Sequence, residues 1–158
     1  MLAGRNAPAI GALARRLHCP SRVFSLPDPA EIAASLADVR AVLHCAGPFS
    51  ATAEPMLDAC IDVGVHYLDI TGEIGAIEAA AARHDRAVEA GVGLVPAVGF
   101  DVVPSDCLAA MLAQRLPEAT HLILALTGTG TVSPGTAKTM VEGLARGCLL
   151  YTSDAADE

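Results

Sequence analysis

From Leu2 to Ala145 the chain alternates between short apolar or β-branched runs and longer alanine-rich runs with helical spacing. Leu2 to Asn6 reads as the last residues of a strand and the turn that follows. Ala7 to Leu17 places Ile10, Leu13 and Leu17 at intervals of three and four, which predicts an amphipathic helix. Arg22–Leu26 predicts a short strand. Asp28 before Pro29 predicts a helix start, with the carboxylate as cap and the proline at the first helical position, running to Leu36. Ala41–Ala46 is continuously apolar, as in a strand buried on both faces. Gly47-Pro48-Phe49 breaks it. A helix is predicted over Thr52–Val63, with Pro55 tolerated in its first turn and Gly64 ending it. His66–Thr71 predicts a strand, Ile74–Ala90 one long helix ending at Gly91, and Val92–Val98 a strand. Pro104–Leu116 predicts a helix capped near Ser105 or Asp106. His121–Thr127 predicts a strand, Thr129–Pro134 a glycine-rich turn and Gly135–Ala145 a last helix. Strands separated by helices of this length need right-handed crossovers, so the expected class is α/β with a mostly parallel sheet.

Composition agrees with that class. The 158 residues suffice for one domain of ordinary size. They are 53% hydrophobic but only 3% aromatic, with no Trp, so the core must be Ala, Val, Leu and Ile. That favours helices packed tightly on a sheet over a sandwich pinned by aromatic rings. The formal net charge is −8, with Asp154, Asp157 and Glu158 at the extreme end. An acidic chain with scattered Lys and Arg has no basic stripe for nucleic acid. No apolar run reaches the roughly 20 residues that span a bilayer. Met1 to Asn6 has no signal core, and a cytoplasmic location is the expectation. Cys19, Cys45, Cys60, Cys107 and Cys148 are odd in number and form no C-x-x-C pair, which argues for reduced thiols. The histidines are dispersed, and no metal site is expected.

In open parallel sheets ligands bind outside the carboxyl ends of the strands, so the strand exits are where chemistry is sought. At the first exit, Arg5 follows Gly4 and precedes Asn6. An Arg there suits an adenosine 2′-phosphate, which favours NADP over NAD; an ordinary solvated Arg is equally compatible. At the second, Cys45, Ala46, Gly47 and Pro48 are small enough for a backbone to approach a ligand closely, or form a plain turn. At the third, Tyr67 and Glu73 could act as general acids or bases, while Asp69 and Thr71 could cap the next helix. At the fourth, Gly99 permits an unusual backbone angle and Asp101 would face the same crevice, or simply sit in a loop.

The order of these exits is more specific than any one of them. Cys45-Ala46-Gly47-Pro48-Phe49, Gly64-Val65-His66-Tyr67-Leu68-Asp69-Ile70-Thr71-Gly72-Glu73 and Gly99-Phe100-Asp101-Val102-Val103-Pro104-Ser105-Asp106 together resemble the saccharopine dehydrogenase-like oxidoreductases. The branch that includes the trans-acting enoyl reductases is nearest. Ala3-Gly4-Arg5-Asn6 and Ser133-Pro134-Gly135-Thr136 fit the same pattern, and the resemblance spans roughly residues 2–147. It implies an NAD(P)-binding Rossmann domain followed by a second α/β domain, and hydride transfer to a small-molecule or acyl substrate. It implies cofactor contacts at Arg5, Asn6 and Cys45, Ala46, Gly47, Pro48, with Tyr67, Asp69, Gly72 and Glu73 beside the nicotinamide. Tyr67, Glu73 and Asp101 are then the candidate catalytic residues.

The chain departs from that family in two places. The family opens with a strand and a glycine-rich turn, which puts backbone amides and a helix N-terminus on the pyrophosphate. Here Leu2 follows Met1 directly, so the expectation is a partial Rossmann-like sheet lacking its first strand, whose neighbours lose a ladder partner. Cys148 to Glu158 resembles the translation of a sequencing-library adapter. The expected organisation is a partial cofactor domain over 1–117, the start of a substrate domain over 118–147, and an artefactual tail over 148–158. Such a fragment is expected to be inactive alone. A non-catalytic α/β binding module is the alternative from another class.

Overall fold

The computed structural model describes residues 1–100, 102–125, 137, 138 and 141. Eleven elements alternate along it: β1 (Leu2–Gly4), α1 (Ala7–Arg16), β2 (Ser21–Val23), α2 (Pro29–Leu36), β3 (Ala41–His44), α3 (Phe49–Val63), β4 (His66–Asp69), α4 (Ile74–Ala81), α5 (His84–Ala90), β5 (Leu94–Val95) and α6 (Val103–Arg115). All strand pairings are parallel. The α/β class and parallel sheet expected from the sequence are therefore present. The chain divides into two compact units, 1–126 and 127–158, and every element above lies in the first.

The ladder is interrupted. β1 pairs with β2, and β3, β4 and β5 form a second sheet in that order. Among the described residues β1 and β3 are not neighbours. In the larger sheet, Ala41 to His44 run in register with His66 to Asp69, and Tyr67 and Leu68 with Leu94 and Val95.

One face of this sheet carries the core. Ile32 and Leu36 of α2, Ala53, Met56, Leu57 and Cys60 of α3, Tyr67 of β4, and Ala76 and Ala80 of α4 form one buried cluster. α3 lies between α2 and α4, and the small alanines let the three helices approach closely. Burial pushes the Cys60 thiol up to about 12, so it behaves as an inert apolar group. The other face is open: Leu43 and Val95 are exposed. The expectation that Ala41–Ala46 is buried on both faces is thus corrected, because the described helices cover one face only.

Other differences have local causes. α3 starts at Phe49 rather than Thr52, which puts Pro55 in the interior of the helix; the amide it lacks would have served Ala51, an exposed residue whose carbonyl water can reach. The predicted helix over 74–90 is two helices. Arg83 donates to the Ala80 carbonyl end of α4 through a tightened turn and carries its side chain to α3. The strand expected over 92–98 shrinks to two residues because Pro96 has no N–H and Ala97 takes φ +60°. Ser105 does not cap α6; Val102 holds that position, and the Ser105 hydroxyl donates back to its carbonyl. Residues 121–125 form no strand, and positions 126 and 127 of the strand expected there lie outside the described residues. The predicted turn at 129–134, and all of Gly135–Ala145 but positions 137, 138 and 141, lie outside the described residues.

Charged pairs tie the layers. Arg22 on β2 binds Asp38 at 2.7 Å, beyond the end of α2. Arg83 joins Asp58 and Glu54, and Arg86 joins Asp58 and Asp62, so Asp58 on α3 bridges two guanidiniums. The Arg83 hydrogen bond, with help from Arg86, holds the Asp58 carboxyl at about 2 against an ordinary 3.8. A folded value below the unfolded one stabilises above the ordinary carboxylate range, and the gain is lost as pH falls through the folded value. Asp58 is 39% exposed, so solvent screening reduces the effect. Asp58→Asn is expected to cost about 1 kcal/mol at neutral pH. The difference in Tm from the parent chain should shrink as pH drops from the ordinary 3.8 towards about 2; a difference independent of pH over that interval would contradict the assignment.

Candidate functional site

The carboxyl ends of β3, β4 and β5 are bound together by a run of polar residues that leaves β4. Asp69 is the last residue of β4 and is fully buried. Its Oδ1 accepts from the Thr71 amide at 3.0 Å and the Ala97 amide at 2.8 Å; its Oδ2 accepts from the Tyr67 hydroxyl at 2.6 Å. Its backbone carbonyl accepts from Val98 N at 2.8 Å. Two residues on, the Thr71 hydroxyl oxygen accepts from Glu73 N at 3.0 Å. Side chains of Asp and Thr commonly fold the chain this way, bonding the amide two residues ahead.

Glu73 then crosses to another element. Its Oε1 accepts from Phe49 N at 2.9 Å and its Oε2 from Ser50 N at 2.7 Å, at the start of α3. The N-cap residue of α3 is Pro48, which makes no side-chain cap bond. A carboxylate from 23 or 24 residues away does so instead. Negative charge is also favoured there by the helix dipole.

Before α3, the Gly47–Pro48 peptide is cis, and Cys45, Ala46 and Gly47 are exposed. Behind this loop stands His44, buried at the end of β3. Its Nε2 lies 3.1 Å from Thr52 Oγ1, which reaches the carbonyls of Ala46 at 2.6 Å and Pro48 at 3.0 Å. His44 also packs edge-on against Phe49 and beside Tyr67. Burial lowers the His44 pKa against the pull of Asp69, which favours the neutral ring. Burial raises the exposed-loop thiol of Cys45 as well, with Asp69 adding to it.

Across the strand ends, Gly99 lies on β4's exit: a Cβ there would stand 2.9 Å from Ile70 Cβ and 3.1 Å from its Cα and carbonyl oxygen. Only glycine fits. Gly72 faces no such constraint, since a Cβ would meet nothing within 4 Å.

The structure thus brings together Tyr67, Asp69, Glu73 and, through Phe49, the Cys45–Pro48 loop. Arg5 and Asn6 belong to the other ladder, and no hydrogen bond or ion pair joins them to this cluster. Asn6 caps α1, its Oδ1 accepting from Ala9 N at 3.1 Å. Arg5 is exposed and makes no ion pair among the described residues. Asp101 lies outside the described residues. Tyr67 is fully buried, and burial followed by the hydrogen bond to Asp69 raises its hydroxyl pKa far above the ordinary value. Among the described residues no cluster of His, Cys, Asp and Glu could hold a metal ion, and no helix is long and apolar enough to cross a membrane.

His44, Thr52 and Ala97 were not singled out by the sequence. A histidine inside an otherwise apolar run was the available signal for the first. Nothing local marks Ala97, whose part is played by its backbone N–H.

The family model for the saccharopine dehydrogenase NADP binding domain matches residues 2–95. A saccharopine dehydrogenase-like oxidoreductase of Arabidopsis thaliana is 38% identical over 114 residues, 66% of this chain and 25% of that protein. The trans-acting enoyl reductase of Mycobacterium ulcerans is 28% identical over 159 aligned positions, 90% of this chain and 37% of that protein. Apo saccharopine dehydrogenase (L-Glu forming) from Saccharomyces cerevisiae has a similar fold, with a TM-score of 0.64 at 17% identity, covering 74% of this chain and 25% of that one. The chain spans about a quarter of the length of the first of these relatives.

The burial of Asp69 gives a graded prediction. Asp69→Ala leaves a hydroxyl and two amides without an acceptor and is expected to cost about 3–5 kcal/mol in urea unfolding. Asp69→Asn can keep both amides on its carbonyl while the Tyr67 hydroxyl turns to accept, and should cost less than half as much. Equal losses would show that the three bonds are not what holds the site.

Proposed function

The chain belongs to the saccharopine dehydrogenase NADP-binding domain family, and from that premise we propose that it supplies the dinucleotide site of an NADP-dependent oxidoreductase acting by hydride transfer. The observation that carries this reading is the pair of open features at the carboxyl ends of parallel strands. Arg5 offers an exposed guanidinium after β1, with no ion pair among the described residues, and Cys45 to Gly47 offer an exposed, small-residue surface after β3. A guanidinium forms bidentate, charge-assisted bonds to phosphate, which suits the adenosine 2′-phosphate of NADP and disfavours NAD. Cys45, Ala46, Gly47 and Pro48 would line the nicotinamide half. Asn6 and Gly72 flank these two surfaces, Asn6 by fixing the start of α1. When bound, the dinucleotide supplies or takes up the hydride.

Of the residues considered for proton transfer, Tyr67 and Glu73 are engaged inside the fold, Tyr67 by Asp69 and Glu73 by two amides of α3. Asp101, which follows β5 in the chain, is the remaining candidate for a proton-transfer group. Residues 1–117 form the cofactor part, and 118–147 begin a substrate part that takes a small molecule or an acyl chain. Residues 148–158 stand outside both. Turnover belongs to the protein that carries both parts, and the chain alone is expected to be inactive. The location proposed is the cytoplasm.

Arg5→Ala in the protein that carries this chain should weaken NADPH binding by about tenfold or more, roughly 1.4 kcal/mol, while NADH binding changes little. Calorimetric titration of both cofactors checks this. No binding of either cofactor by the unsubstituted protein would overturn the oxidoreductase reading and favour a non-catalytic module.

A further inference from the structure

We propose that Glu73 is a positioning residue: it sets the Cys45–Pro48 loop for the nicotinamide half of the cofactor and closes the N-terminus of α3 to phosphate. The inference rests on the dinucleotide reading above and specifies how one half of that site is built.

Three observations carry it. First, α3 has no cap of its own, because Pro48 holds the N-cap position without a side-chain bond. The first two amides of the helix, those of Phe49 and Ser50, donate instead to the two oxygens of one carboxylate, at 2.9 and 2.7 Å. Second, Glu73 is not free to drift. Its amide is fixed on the Thr71 hydroxyl, and the Thr71 amide on Asp69, with Thr71 and Asp69 both fully buried. The carboxylate is thus the end of a strut rooted in the centre of the sheet. Third, the loop is held from two sides. Thr52 supports it from inside through the Ala46 and Pro48 carbonyls, while Cys45, Ala46 and Gly47 are exposed. At the place where the loop becomes helix, Glu73 takes the first two amides while Phe49 is anchored in the core.

The ligand chemistry follows. A helix N-terminus attracts phosphate because its amides are unsatisfied and its dipole is positive. At α3 a carboxylate already satisfies two of those amides, and its charge repels a second anion. The surface left to a ligand is the neutral backbone of Cys45 to Gly47. That surface suits an uncharged carboxamide and ribose and not a pyrophosphate. It also separates the two halves of the cofactor: Arg5 on the other ladder reads the phosphate end, and Glu73 acts only on the far end.

The experiment compares Glu73→Ala and Glu73→Gln in the protein that carries this chain, by amide hydrogen exchange and by titration with two probes. The probes are NADPH and adenosine 2′,5′-bisphosphate, which carries the phosphate end alone. Glu73→Ala should speed exchange at Phe49 and Ser50 by about tenfold or more, while Thr71 and Ala97, held by Asp69, keep their protection. NADPH affinity should fall by about tenfold, with the bisphosphate changed less than about twofold. Glu73→Gln keeps one acceptor oxygen and should fall between on both readouts; it also carries the test if the alanine variant does not fold. Unchanged exchange at Phe49 and Ser50, or equal losses on both probes, would overturn the proposal. If the unsubstituted protein binds neither probe, the dinucleotide reading fails, and the ligand assignment of Glu73 fails with it; the exchange data still decide whether the strut exists.

Discussion

A carboxylate buried at the end of a central strand organises this structure. Removing such a group from water costs several kcal/mol unless hydrogen bonds replace its hydration. Asp69 receives three, from Tyr67, Thr71 and Ala97. Each donor belongs to a different stretch: the strand itself, the loop that leaves it and the loop that leaves β5. Satisfying one charge therefore fixes two loops relative to the sheet. Thr71 and Glu73 extend the same logic to a third loop, because each bond ends on the residue that makes the next.

The sheet explains why the organisation is needed. β4 pairs on both sides, but β5 contributes only Leu94 and Val95, and β3 four residues. Short ladders fix the ends of their strands poorly, since few backbone bonds act there. The helices add cohesion on one face of the sheet, packing Ile32, Leu57 and Cys60 with Tyr67 of β4. Side-chain bonds to backbone amides take over where the ladder stops. The tight approach of Gly99 to Ile70 is the packing counterpart of the same contact between β4 and the exit of β5.

What was legible in the sequence is what local chemistry decides. Asp28 before Pro29 marked the start of α2 to the residue, and the Asp28 side chain does accept from Ala30 and Glu31. Gly64 and Gly91 end their helices in the left-handed region, as glycine allows. The run from His66 to Glu73 was read as dense in polar groups, and Tyr67, Asp69, Thr71 and Glu73 are hydrogen-bonded there; the order of the strand exits identified the family. What was not legible depends on partners distant in sequence. α3 begins three residues earlier than its own residues suggest because Glu73 caps it from afar. The break between α4 and α5 contains no Gly or Pro; it forms where Arg83 turns to Asp58 and Glu54. Burial of β3 was overestimated because apolar composition reports what a strand tolerates, not which faces find a cover.

The same distinction separates the polar residues at the strand ends by task. A group that accepts or donates inside the fold is held in place by what it holds. Tyr67 is the clear instance, its hydroxyl raised by burial and committed to Asp69. Groups available to a ligand are those that the fold leaves exposed: the guanidinium of Arg5 and the backbone of Cys45 to Gly47. The buried set is useless as a ligand surface and indispensable to it, because the exposed loop has a definite shape only while Asp69, Thr71 and Glu73 fix its far end. Motif density alone cannot distinguish the two sets, since both sit within a few residues of the same strand exits. Burial and the direction of each hydrogen bond can.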